Sequence, residues 1–500
     1  MPRSCRKSLY FLLFLLSITR LFTFCQKEKF TTDSVDKLAF STDTLRFDTV
    51  FTQLGSATRI LKLHNRHKKS IRISEIFLER GESSKFHLNV DGLPGNRHTD
   101  IEIAPNDSLY IFAEVTINPN DPLSASPFVI DEPIIFVTNG NTQKVVLEAW
   151  GQNAVYLPSR FGAKQIAAFG CSGGEWIWDD RRPYVIYGAL FIDSCTVRIP
   201  PGARIHVHGG LGKFINDSGN IERYNDGFLA FIGAGKLIVE GTVEKPVIFE
   251  GDRLEAEFEE DPGQWTGIWL QSGTIGHRIE NCIIRNSVIG IRADSAVDLT
   301  MRNTQIYNTA NSALIGIHAS IKAENCLFYN NTNLAIQVIY GGDYQFTYCT
   351  AASFGVNGAA LGMANALCLD AGCEKYRLFP LKARFYNCIL YGSRPDQISL
   401  SDRENNPVNF DYRFENCIVR VKDLLKPNAY PNFLDFCKPC LNAMPKDTIF
   451  TDPNKDKFRL DTLHSKANKF ATPISGIEKD LDGKKRDAIR PDAGCFEIEF

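Results

Sequence analysis

The stretch IENCIIRNS, Ile279 to Ser287, returns as MRNTQIYNT (Met301 to Thr309) and again as AENCLFYNN (Ala323 to Asn331). Its first asparagines fall at 281, 303 and 325, an interval of 22 residues twice in succession (303 − 281 and 325 − 303). A looser copy, TYCTAAS, sets Cys349 a further 23 residues beyond Cys326, and YNCILYGS and ENCIVRVK carry Cys388 and Cys417 after insertions. A unit this short cannot bury an apolar face alone, so successive copies must stack into a continuous core. Inside each copy the inward candidates lie two apart, Cys282 with Ile284, Thr304 with Ile306, and Cys326 with Phe328. That is the period of a strand. A leucine-rich horseshoe would need its own leucine spacing with helical segments, and neither occurs here. The pattern predicts a right-handed parallel β-helix.

In such a solenoid one sequence position recurs directly above itself, so Asn281, Asn303 and Asn325 should stack at one bend between strands. Asparagine tolerates the left-handed backbone a tight bend needs, and its amide can bond the amide of the next rung. Asn286, Asn308 and Asn330 form a second column at the following bend. Cys282, Cys326, Cys349, Cys388 and Cys417 then belong to a buried column and act as small apolar groups. Short alternating bursts upstream, TVRIPPGARIHVHGG and GFLAFIGAGKLIVEGTVEKPVIFEGD, read the same way. With neighbouring strands about 4.8 Å apart, roughly ten turns between Cys195 and Arg420 give a rod near 48 Å long.

The 500 residues carry 56 basic and 58 acidic side chains, a formal charge of −2, and neither sign gathers into a block that would hold nucleic acid. The chain opens with Arg3, Arg6 and Lys7 ahead of the apolar run Leu9 to Ile18, the order of a secretory signal and too short for a membrane span. Cys25 follows it and resembles the lipid-modified cysteine of bacterial lipoproteins. Membrane contact is therefore expected through a lipid anchor at Cys25. Of the 14 cysteines, Cys368 with Cys373, and Cys437 with Cys440 in CKPC, read as structural pairs or free thiols.

From Leu38 to Asn153 seven short alternating strands, among them TRILKLHN, DSLYIFAEVTI and QKVVLEAWG, are separated by turn clusters such as GLPGN and NPNDP. No helix-period run intervenes, which predicts a β-sandwich. LKLHN, Phe86, IAPNDSLYIFAEVTINP and VVLEAWGQ resemble the immunoglobulin-like domains of the Hydin type, a resemblance over about a quarter of the chain that implies binding or spacing. PYVIYGAL, VRIPPGARIHVHGG, GKLIVEGTVEKPVIFEGDR and DPGQWTGIWL resemble uncharacterised β-helix lipoproteins of Gram-negative envelopes. The ending, with Asp480, Asp482, Gly483, Arg486, Asp492, Gly494 and Glu497, resembles the C-terminal D-x-D-G-x-x-R … D-x-G-x-x-E motif of many surface β-helix proteins. These resemblances imply an envelope location, outer membrane or cell surface, and bring no reaction with them. The expected organisation is an all-β chain: signal peptide 1–25, linker 26–35, immunoglobulin-like sandwich 36–155, β-helix 156–475 with an insertion near 350–385, and the C-terminal motif 476–500.

Chemistry is harder to place. Glycoside hydrolysis needs two carboxylates flanking the scissile bond. Asp179 with Asp180, and the run Glu255 to Asp261, are acidic but put no pair on adjacent rungs, and both read as solvated loops. A lyase would need a basic residue beside a neutralised uronate, for which Arg285 and Arg292 near Asp294 and Asp298 are candidates along one flank. His206 and His208 share a strand face without an assignable third metal ligand. No G-x-S-x-G, H-E-x-x-H or glycine-rich phosphate loop occurs, and no cofactor or metal is expected. Trp265, Trp269, Tyr340, Tyr344 and Phe346 are candidates for stacking on sugar faces. The expectation is noncatalytic binding or display of a polysaccharide or another envelope component, the catalytic and ligand-binding residues remaining unassigned. The alternative is a polysaccharide lyase or glycoside hydrolase working along the flank, with the 350–385 insertion as one place for its site.

Overall fold

The computed structural model describes residues 30–51, 58–116, 128–152, 154–158, 166–215, 220–254 and 258–498. The basic-then-apolar opening, read as a secretory signal, and Cys25 lie outside them. Two compact units, Met1–Asn153 and Ala154–Phe500, divide the chain.

The first unit is a β-sandwich of two five-stranded sheets. One holds Arg59–His64, Ser108–Val115 and Phe86–Val90, the other Asn141–Gln152, Phe128–Thr138, Ile71–Leu78 and Arg97–Ile103. Alternation turns Leu61, Leu63, Ile111, Ala113, Ile73, Ile134 and Phe136 into the space between them, where all are buried. Thr44–Phe51 joins the second sheet parallel to Asn141–Gln152.

The second unit is a right-handed parallel β-helix. A nine-stranded sheet forms one flank, here called C, and an 18-stranded sheet supplies the other two. The larger sheet folds at the asparagine bends. Within His277–Arg285, residues up to Glu280 pair with Ile238–Glu240 on flank A, and residues from Cys282 pair with Val247–Phe249 on flank B. Asn281 between them has φ of 47°, and Asn303 and Asn325 have 48° and 51°. Asn303 Nδ2 donates to Asn281 Oδ1 at 3.1 Å, and Asn325 Nδ2 to Asn303 Oδ1 at 3.1 Å. Each side-chain amide thus satisfies the next, rung to rung, along the bend.

At the next rung Tyr348 takes the asparagine's place with φ of 52°, and the C-terminal segment fills the gap. Arg486 Nη2 donates to Asn325 Oδ1 at 2.9 Å while its guanidinium lies 3.9 Å from the Tyr348 ring centroid. Arg486 is buried and paired with Glu497 at 3.2 Å. Asp480 accepts the amides of Asp482, Lys484 and Glu497, and Asp492 those of Lys469 and Ile498. The C-terminal motif is a clasp whose charges are spent internally. Sequence places the solenoid through 475, but its last parallel strand is Cys440–Asn442. Residues beyond it pack with Leu327, Ile389, Tyr391 and Ile418, side chains pointing away from the rod's interior.

The 350–385 stretch also differs from its reading as a single insertion. Thr350–Ser353 and Ala359–Ala364 are ordinary rung strands. Only the hairpin Ala366–Cys368 with Tyr376–Leu378 departs, and the Cys368–Cys373 disulfide closes it. Alanine and glycine lack the β-branched signature of a strand, which hid the rungs.

Cys437–Cys440 is also a disulfide, and Cys171–Cys195 is a third that sequence reading did not pair. Cys282, Cys326, Cys349, Cys388, Cys417 and Cys495 are free and buried. Burial raises the Cys282 thiol and pushes Cys495 up to about 12, and only thiolate reacts with alkylators. All six are buried out of an alkylator's reach, so native protein should leave them unlabelled by iodoacetamide while unfolded, nonreduced protein labels all six. Peptide mass mapping reads this directly, and native labelling of the column would contradict the packing.

His277, buried on flank A, is held neutral. Leu237 N–H donates to its Nδ1 at 3.1 Å, leaving Nε2–H to donate to Thr274 Oγ1 at 2.9 Å. Burial first, then Lys236, lowers its pKa from 6.5 to about 4. A depressed folded-state pKa contributes stability above the unfolded value that is lost as pH falls through the folded one. Stability should therefore drop by up to about 3 kcal/mol between pH 6.5 and pH 4 on this account. Denaturation across that window measures it, and His277→Gln should flatten the slope.

Candidate functional site

Flank C carries a cleft of about 360 Å³. Its wall comes from two adjacent rungs. In Gly267–Leu270, Ile268 and Leu270 point into the rod's core, so Trp269 points out; in Ile291–Ala293 the same logic turns Arg292 out. Trp269 and Arg292 are register partners. Phe228, from the preceding rung, stands 6.4 Å from Trp269 between ring centroids. The hairpin Gly210–Ile215 with Ile221–Asp226 adds Tyr224 and Asn225. Gly267 closes the floor with φ of 135°, and a Cβ there would stand 1.8 Å from Ile289 O. Only glycine fits that approach.

Asp294 fixes the wall. Its Oδ2 accepts from the Trp269 indole N–H at 2.6 Å and its Oδ1 from Arg292 Nε at 2.7 Å. Arg292 stands 4.9 Å from the indole centroid. The indole plane is therefore locked, with a paired guanidinium beside it. Asp294 is only 10% exposed against 42% for Arg292, so the carboxylate is the anchor and the guanidinium reaches solvent. The arrangement offers an apolar ring face flanked by directed polar groups, which suits a flat ligand with an apolar face and hydroxyls at its edge. Among the described residues lining the cleft, none carries a carboxylate.

A second polar group lies on flank B, outside the rod. His206, Glu250, Arg285, Tyr307 and Tyr329 occupy one register column on successive rungs. Glu250, 3% exposed, pairs with Arg285 at 2.6 Å and lies 3.5 Å from His206 Nδ1. The Tyr307 and Tyr329 rings stack at 4.5 Å and 13°. Partial desolvation, then the charge of Glu260, holds the Asp456 carboxyl above its ordinary value. Burial lowers His206.

These placements redistribute the sequence candidates. Arg285 and Arg292 do not share a flank: the first is on B with Glu250, the second on C with Asp294. His206 and His208 do share a face, but with separate partners, His208 meeting Asp252 at 2.6 Å. No group of three metal-ligating side chains occurs among the described residues. Asp180 pairs with Arg182 at 2.8 Å, whose hydrogen bond lowers its pKa. The acidic run, described from Phe258 onward, is not simply solvated. Glu259 O and Asp261 O accept from Asn286, and the Glu260 carboxylate accepts from Asn308, so the run tops the second asparagine column. Trp265, Tyr344 and Phe346 are core residues, and of the five aromatic candidates Trp269 alone lines the cleft. Sequence reading passed over Phe228, Tyr224 and Asp294 as partners of that tryptophan. The alternation of GFLAF, with Leu229 and Phe231 inside, was the available signal for Phe228.

Residues 257–369 match the profile of the family described as right handed beta helix region. No curated protein matches the chain. Among solved structures, the chain is similar to the catalytic unit of a thermostable GH87 alpha-1,3-glucanase from Streptomyces thermodiastaticus, at 11% identity and TM-score 0.27 over 72% of this chain and 74% of that one. It is similar to a protein of unknown function from Porphyromonas gingivalis W83, at 12% identity and TM-score 0.18, over 28% of this chain and 59% of that one. A family 123 glycoside hydrolase from Clostridium perfringens shares 8% identity at TM-score 0.17, over 23% of this chain and 25% of the hydrolase.

Proposed function

We propose that this protein is an exported, lipid-anchored cell-envelope protein that binds a glycan without cleaving it, using the Trp269 cleft as a sugar subsite. The observation that carries the reading is the indole itself: outward, locked by Asp294, and open to a cleft of about 360 Å³. A sugar's C–H face would rest on it while Arg292 donates to ring hydroxyls. The noncatalytic part rests on Asp294, whose two oxygens are both engaged by the wall. Hydrolysis needs two carboxyls across a scissile bond. Export and anchoring rest on the basic-then-apolar start and Cys25.

A second reading, a glycoside hydrolase or polysaccharide lyase, draws on one observation: Asp456, raised by desolvation and by Glu260, beside the flank B column of Arg285 and stacked tyrosines. The two readings separate in one assay of the purified chain against a polysaccharide panel, scoring retention together with release of reducing or unsaturated ends. Retention without products is the expected result. Product release abolished by Asp456→Asn or Glu260→Gln would replace the binding reading with the enzymatic one. In the retained case, Trp269→Ala should cost about 2 kcal/mol of affinity, roughly 30-fold.

A further inference from the structure

Flank C has another cleft, of about 460 Å³, toward the far end of the rod, with Leu334, Arg394, Ser399 and Tyr430 in its lining. The two clefts are joined by strand register. Trp269 pairs with Arg292, Arg292 with Ile315, Ile315 with Gln337, Gln337 with Gly362, and Gly362 with Ser399. Parallel strands in direct register keep paired side chains on one face, so Trp269 in the near cleft and Ser399 in the far one project from the same surface. Five rung intervals of about 4.8 Å separate them by roughly 24 Å along the rod.

The column carries no net charge. Its one charged member, Arg292, is already neutralised by Asp294, and Ile315, Gln337, Gly362 and Ser399 carry no charge. At the far cleft, the Asp396 carboxylate is occupied by the backbone amides of Lys422, Asp423 and Leu424, and Arg394 donates to Asn357 O at 2.6 Å. Within the column the one cation, Arg292, is paired with Asp294, and at the far cleft the charge of Arg394 is offset by the lining carboxylates Asp396 and Asp423, which disfavours a uronate.

Resting on the glycan-binding reading above, we propose that the ligand is a linear, uncharged glycan lying parallel to the rod axis and held at both clefts at once. Bridging converts the second contact into an intramolecular one, so affinity grows with chain length beyond what either cleft supplies.

The test is calorimetric titration of the full chain with gluco-, manno- and xylo-oligosaccharides from disaccharide to octasaccharide, and with oligogalacturonates. For one neutral series, affinity should rise about a hundredfold once the chain is long enough to span both clefts. Ser399→Leu, which fills the far cleft from an exposed strand position without adding a ring face, should remove that rise and leave binding of the disaccharide at the near cleft in place, whereas Trp269→Ala should weaken every length. Affinity independent of length with Trp269 still required would overturn the bridging and keep the single-site reading. Preference for the oligogalacturonates would overturn the neutral class. If no oligosaccharide binds, both this inference and the reading beneath it fall.

Discussion

Replacing Arg486 by alanine should lower the stability of the β-helix unit by about 3–5 kcal/mol, the cost of breaking a buried charge pair. Arg486 and Glu497 side chains are 3% and 4% exposed, so the substitution strands a buried carboxylate that burial already holds above its ordinary pKa. It also leaves Asn325 Oδ1 without its guanidinium donor and removes the cation from the Tyr348 ring. The effect should appear as a lower urea midpoint for the transition that exposes the buried thiols. Glu497→Gln should cost a similar amount, because it leaves the buried guanidinium without its carboxylate and turns an NH2 toward a backbone N–H of Asp487 or Asp492. A shift below about 1 kcal/mol for Arg486→Ala would mean that the clasp decorates the rod without closing it.

Phe385→Ala should cost a similar amount, about 3–5 kcal/mol. Phe346, Phe385 and Phe414 stack on successive rungs at centroid distances of 5.1 and 4.5 Å and interplanar angles of 5° and 9°. All three are fully buried. Removing the middle ring opens a cavity whose walls are β-strands tied to neighbours above and below, which limits collapse around it. Phe385→Leu, which refills most of the volume, should recover more than half of the loss. Equal costs for the two variants would show that the site relaxes, contrary to a rigid core.

The solenoid was legible because its bends demand a rare backbone conformation. Asparagine at φ near 50° is one of the few residues that fills that position cheaply, so it recurs, and the recurrence sets the period. The period says nothing about which of three flanks an outward residue occupies. Alternation alone placed Arg285 and Arg292 outward but could not separate flank B from flank C, since that depends on where each rung turns. Trp269 was nameable as an aromatic near a turn, yet its partners come from neighbouring rungs and a hairpin, with Phe228 41 residues earlier (269 − 228). No repeated residue marks that column: Trp269, Arg292, Ile315 and Gln337 share a position and no chemistry. His206 was nameable beside His208, but its pairing with Glu250 was obscured because the hairpin between residues 210 and 226 breaks the regular interval. The clasp was recognisable as a motif, but that Arg486 completes the asparagine ladder where Tyr348 interrupts it is visible only in three dimensions.

The central claim, that Trp269 is a sugar platform, is tested most directly by the indole N–H signals of the chain's five tryptophans in a two-dimensional NMR spectrum, with Trp269 assigned by its loss in Trp269→Phe. On adding a retained glycan, the Trp269 signal should shift in a saturable way while those of buried Trp178 and Trp265 stay in place. Saturable retention of the glycan with an unmoved Trp269 signal would contradict the account and place the binding surface elsewhere on the protein.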